Sequence, residues 1–530
     1  MLFPTEDGAH DRGRSPLPFR QHLSDRQASP AVLFRFAGFP RPWIFAGIRV
    51  FLRAGLAADG VLCYNGRHAK AVVDLLDLLV TGGWLIDPER LEMRPGSIGV
   101  KDGRIAGVYG ADVRAPEALS RIDAEGAAVC PGFIDVHSHL DGQEECGRRA
   151  LLQGITTSFG GNCGLSPVDM DAFFESQRGG YCVNQCEFVG HSFTLREAVG
   201  LKDTGACADL DQLGRMESMA RRAMDAGAWG VSFGLDYCPG CAFREVETLG
   251  RLTAEYGGIC PVHTRLFTMY DMYSIAEAAR LAVIAGVQVQ VSHLVYQYPM
   301  NELLDDAFEM IEFAHDRGAR ICCDSGMYTN FAAPLGSATF DPENMEACDW
   351  QYDHLLVSTG EYRGMRMDEA LYRRLRREAP ETEVICFSGD ERAVEHAFSR
   401  DYVMISTDAG AYQPGQGHPQ AAASFPRFFR IMARERKRLS WPEAVRRATL
   451  LPAETMGLKT KGRLREGMDA DLVVFDPRTI SERADFAGMG EPDAPPEGIR
   501  AVILGGQLAA QDSRVVNARL GRTIRRERGR

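Results

Sequence analysis

Residues 131–143 read PGFIDVHSHLDGQ, an apolar run that ends in two histidines one residue apart, then an aspartate and a glycine. On a strand, residues i and i+2 share a face. His137 and His139 therefore point the same way and form a chelating pair able to grip one metal ion where the hydrophobic segment stops. The rest of the fold can be read outward from this strand end.

Apolar, strand-like runs recur downstream: AVCPGFIDVHSH, GITTSFGGNC, CEFVGH, AWGVSFGLDY, GICPVHTR, VQVQVSHL, ARICCDS and YVMISTDAG. Between several of them lie stretches of helical periodicity, such as DQLGRMESMARRAMDAG, MYSIAEAARLAVIAG and LLDDAFEMIEFAHDRG. Strand–helix alternation implies a parallel sheet, and eight such strands predict a TIM-like (β/α)8 barrel. The strands end in turn at His137/His139, Cys163, His191, Asp236, His263, His293, Asp324 and Asp408. Parallel barrels carry their chemistry at the C-terminal strand ends, and metal-ligating or acid–base side chains stand at all eight.

His263 and His293 can supply a second set of nitrogen ligands. Two metals need a bridging anion. A carboxylated lysine on the fourth strand is one solution, but Lys202, in a GLKDTG loop ahead of a helix, is the only lysine between His139 and His263. Cys163 is the natural substitute, because a thiolate can bridge two Zn²⁺ ions; its bland alternative is a buried inert thiol. Asp408 can bind metal, orient the attacking water or shuttle its proton. Zn²⁺ lowers the pKa of bound water to about 7, so the set as a whole points to metal-assisted hydrolysis of an amide-like bond. His191 either stabilises an oxyanion or orients a neighbour, or it packs structurally. Asp324 reads as a buried hydrogen-bonding partner. Asp141 either orients the histidine pair or caps a loop.

On either side of the barrel, the segments DLLVTGGWLID, GSIGVKDGRIAGVYG, GRLREGMDADLVVFDP and IRAVILGGQLAA read as short strands, with KDG as a hairpin turn. Residues 75–130 and 455–526 are expected to join in one small, discontinuous, β-sandwich-like domain around a catalytic barrel at 131–454. Residues 1–74, Arg/Ser/Pro-rich at first, are expected to form a poorly ordered extension, without the roughly 20 uninterrupted apolar residues of a membrane span. A net charge of −12 argues against nucleic-acid and anionic-membrane partners, which need a basic face. The closing RLGRTIRRERGR is expected to be a solvated tail. With 14 cysteines in no framework spacing, a reduced cytoplasmic protein is expected. Cys238 and Cys241 form one CxxC without a second pair, which reads more readily as two ordinary thiols beside a Pro-Gly turn than as a zinc or redox site.

The motifs PGFIDVHSHLD, GNCGLSP, VGHSFTLR, GVSFGLDYCPG, VHTR, QVSHL, STDAG, GHPQAAASFPRFF and KGRLREGMDADLVVFDP recur in order from about Leu75 to about Arg526. Together they resemble the N-acyl-D-amino-acid deacylase (D-aminoacylase) family of the metal-dependent amidohydrolase superfamily. The His-x-His and tail motifs are superfamily-wide; GNCG and GLDYCPG are specific to this branch. The resemblance implies that Cys163, His263 and His293 hold a tight zinc, that His137 and His139 with Cys163 form a weaker second site, and that Asp408 is the catalytic acid/base. It implies a substrate-contacting role for Tyr237, and an insertion at about 333–400 that covers the active site. The substrate would be a small N-acyl amino acid or a related amide.

Three departures concern the substrate's carboxylate. Val295 replaces a lysine, Gly326 replaces the first tyrosine of a YPY motif whose second is Tyr328, and Gln420 stands where an arginine is common. Charge-assisted pairing is a main source of carboxylate affinity, so these changes are expected to weaken recognition of a free carboxylate unless Arg265 or Arg427 compensates; each of these arginines has a structural ion pair as its alternative. A cyclic-amide hydrolase of the hydantoinase or dihydroorotase kind is the competing enzyme reading, disfavoured by the missing lysine. A non-catalytic scaffold is disfavoured by the intact ligand set.

Overall fold

The computed structural model describes residues 75–265 and 272–527. The segment 1–74, expected to be an extension, lies outside them.

Eight parallel strands form the body of the chain. They are Phe133–Asp135, Ile155–Gly160, Asn184–Glu187 continuing as Val189–Gly190, Val231–Gly234, Ile259–His263, Gln288–Val291, Ile321–Ser325 and Val403–Ile405. The ring closes between the eighth strand and the first at their C-terminal ends. There Ser138 bridges Ala409 in parallel, His139 N–H donates to the Ala409 carbonyl at 2.8 Å, and Asp408 N–H donates to the His137 carbonyl at 2.9 Å. The expected barrel is borne out, and the seam that closes it carries the His-x-His pair.

Helices alternate with the strands because their apolar residues recur at helical spacing and their ends are capped. Leu210–Ala226 starts in a capping box of Asp209 and Gln212 and stops at Gly227 in the left-handed region; Trp441–Ala448 starts in a capping box of Ser440 and Glu443. Their inner faces bury residues such as Met216, Leu249, Phe308 and Phe425 against the strands.

Nine strands build a second sheet from both ends of the described chain. Glu92–Lys101 turns into Arg104–Gly110 through Asp102 and Gly103, both at positive φ as a two-residue hairpin requires. The long strand Leu76–Asp87 slips register between Val80 and Gly83. Its first half pairs with Ala118–Asp123 and its second with Ala128–Pro131. The returning strand Leu472–Phe475 then pairs antiparallel with Ala128–Pro131. Val80, Ile98, Val129, Leu472 and Ile503 share the core of this sheet.

The basic tail is not solvated as expected. Gly521 exchanges backbone hydrogen bonds with Tyr181 and Ile524 N–H donates to the Gln185 carbonyl at 2.7 Å. Trp229 Nε1 donates to the Ile524 carbonyl at 2.7 Å, and the Arg526 guanidinium lies 5.1 Å from the Trp229 ring centre. Backbone pairing along the third strand and a cation–π contact tie the tail to the barrel as far as Glu527. Among the described residues, no helix is long and apolar enough to cross a membrane.

Between the seventh and eighth strands, Phe331–Pro334, Leu355–Val357 and Glu383–Cys386 form a three-stranded antiparallel sheet with the last strand central. It has its own core of Leu335, Phe340, Trp350 and Tyr372. This insertion faces the mouth of the barrel, where Thr339 Oγ1 donates to Asp236 at 2.8 Å.

Candidate active site

The strand ends bring two donor groups together. His137, His139, Cys163 and Asp408 form one; Cys163, His263 and His293 form the other. Within each, the ligand atoms lie within 4.8 Å of one another, and Cys163 belongs to both. Cys163 Sγ is 3.3 Å from His137 Nε2 and 3.7 Å from His293 Nε2, while His293 Nε2 is 2.9 Å from His263 Nδ1. Asp408 Oδ1 stands 3.3 Å from Nε2 of both His137 and His139.

Local backbone geometry aims these side chains. Cys163, His293 and Asp408 all have positive φ, 51°, 34° and 48°. For residues other than glycine such conformations cost about 1–3 kcal/mol each and persist only where the surroundings over-determine them. Each stands two or three residues beyond the end of its strand, where the left-handed turn lets its side chain meet the other donors. Gly234, on the fourth strand, permits the close approach this needs: a Cβ there would stand 2.1 Å from the Cys163 carbonyl oxygen.

A buried scaffold orients the imidazoles. Asp324 accepts from Gln290 at 2.6 Å, from Ser406 Oγ at 2.6 Å and from His293 N–H at 3.0 Å, and it lies 3.4 Å from His137 Nδ1. It is the hydrogen-bonding partner expected from sequence. His293 Nδ1 is 2.7 Å from Gln297 Oε1, four residues on along the short helix Leu294–Gln297. Asp135 staples the first strand to the eighth, accepting from Thr407 N–H at 3.1 Å and Thr407 Oγ1 at 2.5 Å.

Charges at the centre reinforce one another. Burial opposes ionisation of Cys163, but His137 and the neighbouring imidazoles outweigh it and hold the thiol well below its ordinary range. Burial likewise opposes protonation of His137, and the Cys163 thiolate with Asp324 lifts it well above the ordinary imidazole range. Burial raises Asp408 and the imidazoles of His139, His137 and His293 more than offset it, so its carboxyl is held low. One thiolate among imidazoles is a donor set suited to Zn²⁺. Converging nitrogens only 2.9 Å apart and the buried Nδ1 of His139, without a hydrogen-bond partner among the described residues, fit a site built to receive cations.

The centre floors a cavity of about 1,070 Å³ roofed by the insertion. Tyr237 lines it, its ring 4.8 Å from that of His263. The other three expected substrate contacts do not. His191 is fully buried and turned outward, 3.1 Å from Glu245 Oε2. Arg265 is spent on Glu277 at 2.8 Å and on the carbonyls of Pro239 and Cys241 at 2.9 and 2.6 Å. Tyr328 is buried between the Arg427 guanidinium, 4.5 Å from its ring centre, and the His418 ring. Arg427 itself pairs with Glu482 and Glu391.

Sequence reasoning missed Tyr296, Gln297, Thr339, Glu383 and Tyr412, which also line the cavity. The spacing of four from His293 to Gln297 was a readable signal; Thr339 and Glu383 reach the site only through the insertion's fold. Tyr296 explains Gly326, since a Cβ there would stand 2.8 Å from the Tyr296 hydroxyl. That hydroxyl bonds Gln420, whose Nε2 donates to the Asp408 carbonyl at 2.7 Å. Val295 is buried outside the cavity lining.

Residues 399–510 match the family model described as the Amidohydrolase family. The chain is 30% identical over 495 residues to an N-acyl-D-glutamate deacylase of Alcaligenes xylosoxydans xylosoxydans, covering 85% of this chain and 97% of that one. A crystal structure of N-acyl-D-glutamate deacylase from Bordetella bronchiseptica, complexed with zinc and a phosphonate mimic of the tetrahedral intermediate, is similar at TM-score 0.75 and 30% identity, over 85% of this chain and 100% of that one. A D-aminoacylase structure concerned with one-metal activation and second-metal attenuation at a binuclear centre is similar at TM-score 0.76 and 26% identity, with the same coverage.

Proposed function

The chain belongs to the N-acyl-D-amino-acid deacylase family of the amidohydrolases, and on that premise we propose that it is a zinc-dependent hydrolase cleaving the linear amide bond of an N-acyl compound. The observation that carries this reading is the sharing of Cys163 between two donor groups at the floor of one cavity. In this reading Cys163, His263 and His293 hold the tight zinc, and His137 and His139 with Cys163 hold a second, weaker one. When bound, the metal acts as a Lewis acid and brings the pKa of water near neutrality.

The chain's own groups do the rest. Asp408 takes the proton of the attacking water as general base and returns it to the departing nitrogen as general acid. Its low-held carboxyl, 3.3 Å from both His137 and His139, is ionised and ready for the first step. The Gln420 amide, bonded to the Asp408 carbonyl, fixes the turn that carries it. Asp324 and Gln297 keep His137 and His293 in orientation. Tyr237 and Tyr296 position the substrate against the floor, and the insertion excludes water from above.

The wall bears on which N-acyl compound. Among the described residues it holds Asp236, Asp341, Glu381 and Glu383 but no arginine or lysine. Burial pushes Glu383 up to about 7, so near neutrality it can donate as well as accept. A wall of this kind suits an uncharged amide better than a substrate with free carboxylates. We place the enzyme in the cytoplasm, in keeping with described cysteines that are all free thiols.

The reading is tested by assaying metal-loaded full-length chain on N-acetyl, N-formyl and longer N-acyl derivatives of D- and L-amino acids, with uncharged amides included. Turnover of linear N-acyl compounds is expected, uncharged ones foremost. Turnover of hydantoins alone would overturn it.

A further inference from the structure

Outside the cavity lies a second meeting of sulfur and imidazole. His191, at the end of the third strand, and Cys238 and Cys241, in the loop after the fourth, offer ligand atoms within 4.8 Å of one another. All three side chains are buried, at 0, 1 and 4% exposure. The Pro239–Gly240 turn brings the two cysteines to one point, as CxxC spacing does in metal-binding loops. Ser192 Oγ stands 3.3 Å from both His191 Nδ1 and Cys238 Sγ, placing that nitrogen on the side of the sulfurs.

The surroundings are built for this set. The other ring nitrogen, His191 Nε2, is 3.1 Å from Glu245 Oε2. Glu245 is itself anchored by Arg196 at 2.7 Å and by Ala208 N–H at 2.9 Å. A carboxylate behind a ligating histidine fixes its tautomer and raises its basicity. The loop is clamped as well: Arg265 bonds the Pro239 and Cys241 carbonyls, and Gly240 N–H donates to the Thr204 carbonyl at 2.9 Å. Two thiolates and a divalent ion sum to zero charge, which suits a dry site, and soft thiolates with one imidazole select Zn²⁺ among the common divalent metals. Two thiol protons leave as the ion enters.

We propose that His191, Cys238 and Cys241 supply three protein ligands to a buried zinc ion, separate from the catalytic centre, that locks the loop carrying Tyr237. The loop runs from Asp236 and Tyr237 on the cavity wall directly into Cys238, so an ion on its outer side would rigidify the wall on its inner side. This site would be structural, without an opening to the cavity, and would need no substrate.

The test uses full-length chain carrying Cys163→Ala, which removes the one sulfur ligand of the catalytic centre among the described residues, loaded with Co²⁺. Thiolate-to-cobalt charge-transfer absorption at one equivalent of metal is expected. It should disappear when Cys238→Ser and Cys241→Ser are added, in a chain whose circular dichroism shows it folded. X-ray absorption on the zinc-loaded Cys163→Ala chain needs no change at the loop and should show two sulfur neighbours. An absence of sulfur neighbours, or a cobalt–thiolate band that survives both serine substitutions, would overturn the proposal. So would a Cys238–Cys241 disulfide in the purified, unsubstituted chain.

Discussion

Two clusters of sulfur and imidazole stand near the end of the fourth strand, and they differ first in access. Around Cys163, the donors open onto a cavity of about 1,070 Å³ and a carboxylate, Asp408, shares the space. Around Cys238 and Cys241, the donors are sealed, and the carboxylate, Glu245, stands behind the histidine and is neutralised by Arg196. An ion sealed from water and substrate can only hold structure, whereas one open to a cavity can meet a substrate. On the readings proposed above, the same residue types would serve different chemistry according to whether water and substrate can reach them.

Replacing Cys163 by alanine breaks the comparison most severely. Activity should fall below detection and the tight catalytic zinc should be lost, as read by metal analysis alongside the assay. Asp408→Asn keeps the sulfur and imidazole donors and removes the proton shuttle. It should lower kcat by about 10²–10⁴-fold while the catalytic zinc remains, and loss of that zinc would instead make Asp408 an essential ligand. Gln297→Ala touches only the orientation of His293 and should weaken metal affinity by about 10–100-fold, measured by competition with a chelator; an unchanged affinity would remove Gln297 from the supporting set. Thr339→Val cuts the hydroxyl that joins the insertion to Asp236. A single hydrogen bond of this kind is worth about 0.5–1.5 kcal/mol, so KM should rise no more than about 10-fold with kcat nearly unchanged.

Much of this was legible in the chain. Strand periodicity with chemistry at each strand end gave the barrel, because closing eight parallel strands forces their C-terminal residues around one mouth. The converging histidines and Cys163, the candidate metal ligands, were readable for the same reason. His191 stayed open between a substrate-facing role and structural packing because strand-end position says nothing about which way a side chain turns: it faces Glu245, a partner more than fifty residues later in the sequence, in helix Phe243–Glu255. Arg265 and Tyr328 failed likewise, captured by Glu277 and Arg427, partners that only the tertiary fold supplies. The tail could not be read because its attachment is backbone pairing and an Arg–Trp contact, neither of which leaves a hydrophobic pattern. Tyr296 was hidden behind Gly326, since a glycine in sequence does not show which ring fills the space it leaves.

The direct test is an anomalous-difference map at the zinc edge from crystals of the full-length protein. A peak within bonding distance of Cys163 Sγ and of the His263 and His293 nitrogens, at the floor of the cavity, is the predicted result. A Cys163 thiol turned away from the mouth, with no ion near it, would contradict the account.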